Sequence, residues 1–537
     1  MFYVVCYNIC INSLLFFMYK PYVLLIVDGF GVDVPSRANA IALSDKYNLD
    51  NLVANYFSTT LYAHGEYVGL PFGVPGNSET GHLNIGAGKI VYQDVLKINK
   101  SIKDKSFFVN KYFLDAILLA QKNKKNLHLV GTLSYGSSNS FIELFYSLVE
   151  LIKSEDFKNF YVHIILDGKD FDNNSGISLV SELQDRLNFM GFGKIASISG
   201  RYYGMDRDLN WDRTELAYDA MVLGNAERYY SDPVLSIKES YDEGLFDDQI
   251  KPTVIIDKNK QPITTINSGD SVIFFNFKQD KIRQIAKSII QDDFDHFDKK
   301  KELKDMYFVT MTEYEKDLSC KIAFKDEDVD NTLVNILSEN NFSQLHISET
   351  EKYPHVTFFL NGQKDQIFKG EERVLIPSPH VFSNDLEPEM NLFKMSGEIV
   401  DYITEEKVDF IVANISNVEV MAHGGNLKKT IKAVQAADRA IGEITDAVLN
   451  KNGVVFITSD HGNAENMIFE NKEHKDHTIN PVPFIVVGND FINRKSFASF
   501  NMLSSCEPSG VLADITPTIL KVMNVKKPED MTGKELV

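Results

Sequence analysis

Continuous apolar runs of six or seven residues recur along the chain with helical patterns between them. They are YVLLIV (22–27), LHLVGTL (127–133), YVHIIL (161–166), KIASIS (194–199), SVIFFNF (271–277), DFIVANI (409–415) and GVVFITS (453–459). An alternating strand covers one face of a sheet, whereas an unbroken β-branched run suits a strand buried on both faces. The pattern therefore predicts an α/β protein with parallel sheets flanked by helices.

The residues just after each run differ in kind between the ends and the middle of the chain. Asp28 comes after the first run, Glu419 and His423 after 409–415, and Asp460 and His461 after 453–459. In open parallel sheets ligands bind beyond the carboxyl ends of the strands, so these carboxylates and imidazoles are expected to converge. The middle runs end instead in Asp167, Lys169 and Asp170, in Arg201 and Arg207, and in Lys278, Lys281 and Arg283, mostly cations suited to phosphate or carboxylate. Two domains are expected: residues 18–92 with 327–537 for metal, and 93–326 inserted between them for an anionic substrate.

Composition narrows the classes. The 537 residues are 44% hydrophobic with a formal net charge of -20, which argues against nucleic-acid or anionic-membrane partners. Cys6, Cys10, Cys320 and Cys506 lack zinc-type pairing and suggest a reducing compartment, so the cytoplasm is expected. The opening MFYVVCYNICINSLLFF has no basic start and no small-residue cleavage site, so residues 1–17 read as an N-terminal extension rather than a signal peptide. No later stretch of 18 apolar residues suggests a membrane span.

TSDHGNAEN (458–466) places Asp460 beside His461 at a strand end, and HKDHTINPVPF (474–484) adds His474 and His477. Alone, D-H-G-N is a turn sequence. With Asp28, Glu419 and His423 it makes an oxygen and nitrogen ligand set without thiolate, fit for Mn²⁺, Mg²⁺, Co²⁺ or Zn²⁺, and two such ions can clamp a phosphoryl group. GNSETGHLNIGAG (76–88) holds Ser78 with no base next to it in sequence. A metal would make that hydroxyl nucleophilic, and the helix expected after it would favour a phosphate; the bland reading makes Ser78 an N-cap. SGRYYGMDRD (199–208) reads alone as a surface loop. Lys352 is suited to neutralise a phosphoryl group, and it and His355 are expected before a strand in HISETEKYPHVTFF (346–359).

LLIVDGFG, GNSETGHLNIGAGKIVYQD, ILDGKD, ISGRYYGMDRDLNWDR, FFNFKQDKIRQ, SETEKYPHVTFF, GEERVLIPSPHV, SDHGNAENM and LADITPTIL occur in this order. Together they resemble the 2,3-bisphosphoglycerate-independent phosphoglycerate mutases, members of the alkaline-phosphatase-like metalloenzymes, over nearly the whole chain. The resemblance implies an alkaline-phosphatase-like domain with a phosphotransferase domain inserted. It implies two divalent ions, Mn²⁺ foremost, with Asp28, Ser78, Asp460 and His461 on one and Glu419, His423 and His477 on the other. It further implies that Asn139, Lys169, Asp170, Arg201, Arg207, Lys278, Lys281 and Lys352 contact phosphoglycerate, that Ser78 carries the phosphoryl group with Lys352 beside it, and that domain closure keeps water out. No bisphosphoglycerate is needed, and a monomer is expected.

The chain departs from the family pattern at several points. LSYGSSNSF stands for L-S-D-G-G-V-H-S-H, putting Tyr135 for an aspartate and Asn139 for a histidine. Lys169, Lys278 and Lys281 replace arginines and lose the bidentate fork, Glu419 replaces an aspartate, and His346 stands where arginine is common. An amide cannot transfer protons, so two alternatives to an active mutase stay open: a metal-dependent phosphatase or phosphomutase with another substrate, and a catalytically impaired binding relative.

Overall fold

Val23 to Ile26 are wholly buried, and a run apolar on both faces has to find strands on both sides and helices above and below. The computed structural model satisfies this; it describes residues 20–135, 139–325, 329–379 and 387–537. The extension expected at 1–17, Cys6, Cys10, the domain join near 327 and the end of the GEERVLIPSPHV motif lie outside the described residues. The chain divides into two compact units, the first ending at Tyr92 and resuming at Asp328–Val537, the second Gln93–Glu327. Both are α/β.

In the first unit eight strands lie in the order Glu371–Ile376, Gln344–Glu349, Phe410–Ile415, Tyr22–Val27, Val454–Thr458, Val482–Val487, Phe57–Tyr62 and Gly510–Val511. All pair in parallel except Val482–Val487, which runs against both neighbours. Val27 is level with Ile415, and Ile26 with Thr458. The residues after these three strands, which include Asp28, Glu419 and Asp460, therefore leave the sheet at one edge. The 24-residue helix Leu427–Asn450 covers one face through Ala433, Ala437, Ala440, Ile441, Ile444 and Val448, at helical spacing.

The second unit carries eight strands in the order Lys321–Ile322, Tyr307–Thr310, Ser271–Phe274, Leu127–Leu133, Phe160–Leu166, Lys194–Gly200, Thr253–Ile255 and Arg228–Tyr230. Only the pairing of Lys194–Gly200 with Thr253–Ile255 is antiparallel. No helix among the described residues is long and apolar enough to cross a membrane.

Two expectations are corrected. The strand expected at 271–277 stops at Phe274, because the Asn276 side chain takes the Thr132 N–H at 2.7 Å and donates to Thr132 Oγ1 at 2.9 Å. The apolar VTFF after Lys352 is no strand but a helical turn, His355–Phe359, which begins after Pro354 and packs on the helix Ser78–Ala87. Proline pre-sets the helical φ at such a start, and this outweighs the β-branched composition.

Candidate active site

Asp28 follows the central strand Tyr22–Val27 and is fully buried. Ser78 opens the helix Ser78–Ala87, but it is not the cap: the Asn77 side chain accepts from Thr80 N at 2.9 Å. With the capping done by Asn77, the serine hydroxyl is free to face the strand ends. Gly81 lets that helix lie against Asp460, since a Cβ there would sit 2.6 Å from the Asp460 carbonyl oxygen.

Ser78 Oγ donates to Asp28 Oδ1 at 3.2 Å, accepts from Lys352 Nζ at 2.7 Å and lies 3.0 Å from His461 Nε2. Asp28, Asp460 and His461 form one group able to hold a metal ion. Glu419, His461 and His477 form a second. His423, one turn after Glu419 on the helix Asn417–His423, joins it with Nε2 at 3.1 Å from both Glu419 Oε1 and His477 Nε2. His461 thus stands between the two groups. His474 lies elsewhere, with Nδ1 on the Asn466 carbonyl.

The donor chemistry fits divalent ions. His477 Nδ1 contacts the Gly76 carbonyl at 2.9 Å and His461 Nδ1 the Gly462 carbonyl at 3.3 Å, which directs both Nε2 atoms toward the carboxylates, where a cation would sit. Asp460 Oδ2 is buried and makes no hydrogen bond, with the His82 ring nitrogen beside it at 3.3 Å. Three buried carboxylates, Asp28, Glu419 and Asp460, share one ammonium, that of Lys352, which reaches Asp28 Oδ1 at 3.1 Å and Glu419 Oε2 at 2.7 Å. Such an arrangement favours added positive charge, whether on the neighbouring imidazoles or on a bound cation.

The electrostatics agree. Burial opposes ionisation of Asp28, yet Lys352 and His461 hold its carboxyl well below the usual range. Burial and the Asp28 charge likewise oppose Glu419, while His423, His477 and Lys352 bring it below the ordinary value. For His461 burial favours the neutral ring, but Asp460, Asp28 and Glu419 push it up to about 9.

Sequence reasoning missed His82 and Asn414. The His82 ring is fully buried, with Nδ1 2.8 Å from the Ser78 carbonyl and 3.3 Å from Asp460 Oδ2, and Nε2 3.0 Å from Asn414 Nδ2. Asn414 Nδ2 also donates to Asp28 Oδ2 at 2.8 Å. The available signal was polarity where both faces are buried: Asn414 interrupts a strand of apolar residues.

In the second unit Asp170 gathers several expected residues. Asn139 Nδ2 donates to its Oδ2, Arg201 Nη1 donates to the same oxygen at 3.2 Å and also pairs with Asp167, and Lys281 Nζ lies 3.6 Å away. Arg207 is turned to Asp280 at 2.9 Å, and Lys169 and Lys278 are exposed. His346, in the first unit, is buried with Nδ1 on the Val356 carbonyl.

Comparison with known proteins places these sites in context. Residues 98–316 match the family described as BPG-independent PGAM N-terminus. Over 520 residues the chain is 42% identical to 2,3-bisphosphoglycerate-independent phosphoglycerate mutase 1 of Methanosarcina acetivorans, covering 96% of this chain and 98% of that one. It is 44% identical to the corresponding mutase of Clostridioides difficile, with 97% and 99% covered. Among solved structures it is similar to a Leishmania mexicana phosphoglycerate mutase crystallised at low cobalt concentration, at 25% identity, a TM-score of 0.54 and coverage of 96% and 97%. With likeness of this extent along its whole length, the chain belongs to the 2,3-bisphosphoglycerate-independent phosphoglycerate mutases.

Proposed function

We propose that this protein, an isomerase, interconverts 3-phosphoglycerate and 2-phosphoglycerate through a phosphoserine at Ser78. The observation that carries the reading is the Ser78 hydroxyl, buried and held between Lys352, Asp28 and His461 at 2.7 to 3.2 Å.

Two divalent ions, Mn²⁺ foremost, are assigned to Asp28, Ser78, Asp460 and His461 and to Glu419, His423 and His477. When bound they supply Lewis acidity that lowers the pKa of a hydroxyl and offsets phosphoryl charge. The Asp28 carboxylate draws the Ser78 proton away from the attacking lone pair. Ser78 Oγ then bonds to phosphorus as the ester bond to the glycerate breaks, and the proton lost by Ser78 passes to the departing glycerate oxygen. The Lys352 ammonium offsets charge on the phosphoryl oxygens, and the helix start at Ser78 favours an anion there.

Asn139, Lys169, Asp170, Arg201, Arg207, Lys278 and Lys281 are assigned to the glycerate, whose carboxylate the cations would hold while its other hydroxyl attacks the phosphoserine, loses its proton to the Ser78 oxygen and frees Ser78. No bisphosphoglycerate enters the cycle. We place the protein in the cytoplasm as a monomer.

The test is the purified protein with Mn²⁺ and 3-phosphoglycerate, read by coupling to enolase and, in parallel, by phosphate release. Mutase activity that Ser78→Ala abolishes supports the reading. Phosphate release without isomerisation would overturn it in favour of a phosphatase, and activity in neither assay would overturn it in favour of a binding relative.

A further inference from the structure

We infer that Glu465 is a positioning residue that clamps together the three loops from which most of the assigned ligands come, an inference that rests on the two-ion reading above. Glu465 is 1% exposed. Both of its oxygens are used. Oε2 accepts from Gly31 N at 3.1 Å and from Asn463 N at 2.8 Å, while Oε1 accepts from Thr478 Oγ1 and from Asn480 Nδ2 at 3.0 Å.

The partners define its role. Gly31 lies three residues after Asp28, Asn463 two after His461, and Thr478 next to His477. One carboxylate therefore joins the loop of Asp28, the loop of Asp460 and His461, and the loop of His477. Gly31 is required for this approach, because a Cβ there would overlap the Glu465 carboxyl group. No lysine or arginine pairs with Glu465 among the described residues; four uncharged donors hold it, two from backbone and two from side chains. Hydrogen bonds to a carboxylate are stronger than neutral ones, and shells around ligands tune metal affinity 10- to 100-fold.

Glutamine at this position is nearly isosteric but replaces one acceptor oxygen by an N–H₂ group facing two donors. The Gly31 and Asn463 N–H groups then keep the remaining oxygen, while Thr478 and Asn480 lose their charged acceptor and only the threonine hydroxyl can turn to accept. Thr478→Val removes only the tie to the His477 loop, and Thr478→Ser keeps it.

The experiment titrates Mn²⁺ into metal-free full-length protein by calorimetry, with circular dichroism confirming the fold of each variant. Wild type is expected to take up two ions. Glu465→Gln is expected to weaken uptake about 10- to 100-fold, with mutase activity recovering at high Mn²⁺. Thr478→Val is expected to weaken one ion only, and Thr478→Ser to titrate as wild type, a pattern that general destabilisation would not produce. Unchanged uptake in both Glu465→Gln and Thr478→Val overturns the inference while leaving the two-ion reading intact. Wild type that takes up no Mn²⁺ overturns both. If Glu465→Gln does not fold, the Thr478 pair decides: identical titrations for the valine and serine variants overturn the inference.

Discussion

The ammonium of Lys352 donates to the hydroxyl of Ser78 at 2.7 Å. Burial favours its neutral form, but Asp28 and Glu419 outweigh that and raise its pKa above the ordinary lysine value. It is a fixed charge throughout the working pH range. Lys352→Met is expected to lower kcat by about 10²- to 10³-fold, the usual loss when a preorganised charge is removed. The coupled assay measures kcat, and Mn²⁺ titration of the same variant is expected to show uptake retained.

Asp170 holds Asn139, Arg201 and Lys281 on a single oxygen. Asp170→Ala leaves these donors without their common acceptor, a change of about 1–3 kcal/mol in how they are held. KM for phosphoglycerate is expected to rise about 10-fold or more by the conversion of 1.4 kcal/mol per decade. Initial rates across substrate concentration test this; an unchanged KM would remove Asp170 from the substrate site.

Glu349 ends the strand Gln344–Glu349, with Oε1 accepting from Asn391 N at 3.1 Å and Oε2 buried without a partner. Burial pushes its carboxyl up to about 7 from the ordinary 4.5. Between those pH values the folded form binds more protons than the unfolded form, so stability is present below about 4.5 and is lost as pH rises through about 7. Glu349→Gln is expected to gain about 3 kcal/mol at pH 8, and nothing at pH 4, in thermal or denaturant unfolding.

The second unit carries the opposite slope. His128 Nδ1 and His163 Nε2 are 3.0 Å apart, His128 Nε2 faces Asp270 Oδ2 at 3.2 Å, and His163 Nδ1 faces Ser197 Oγ at 2.8 Å. Tyr161 stacks on His128, and the Lys301 charge adds to burial in keeping His128 neutral against the pull of Asp270. Burial, then the His128 ring, holds His163 well below its ordinary value of 6.5. The unfolded chain binds more protons as pH falls below 6.5, so stability is lost on acidification. Unfolding midpoints between pH 7.5 and 5 should fall for wild type and fall less for His163→Gln.

The strands that could be read were those of unbroken apolar sequence. Tyr22–Val27 and Leu127–Leu133 could be read to the residue because strands covered on both faces admit little but apolar side chains. Phe57–Tyr62, Gln344–Glu349 and Glu371–Ile376 went unread, since FSTTLY, QLHISE and EERVLI carry polar residues that tertiary contacts satisfy. The nearness of Asp28, Ser78 and Asp460 could be read from strand ends. His82 and Glu465 could not, because their partners lie far off in sequence and only the folded chain brings them near.

The strand Tyr22–Val27 sits between Phe410–Ile415 and Val454–Thr458, which are made about four hundred residues later. At ribosomal rates of about 5–20 residues per second, this segment waits roughly 20–80 s for its neighbours. Gln93–Glu327 can complete its own sheet in that interval. During synthesis, then, a wholly apolar stretch of the nascent chain is left exposed throughout that interval, and it is where a chaperone would be expected to bind.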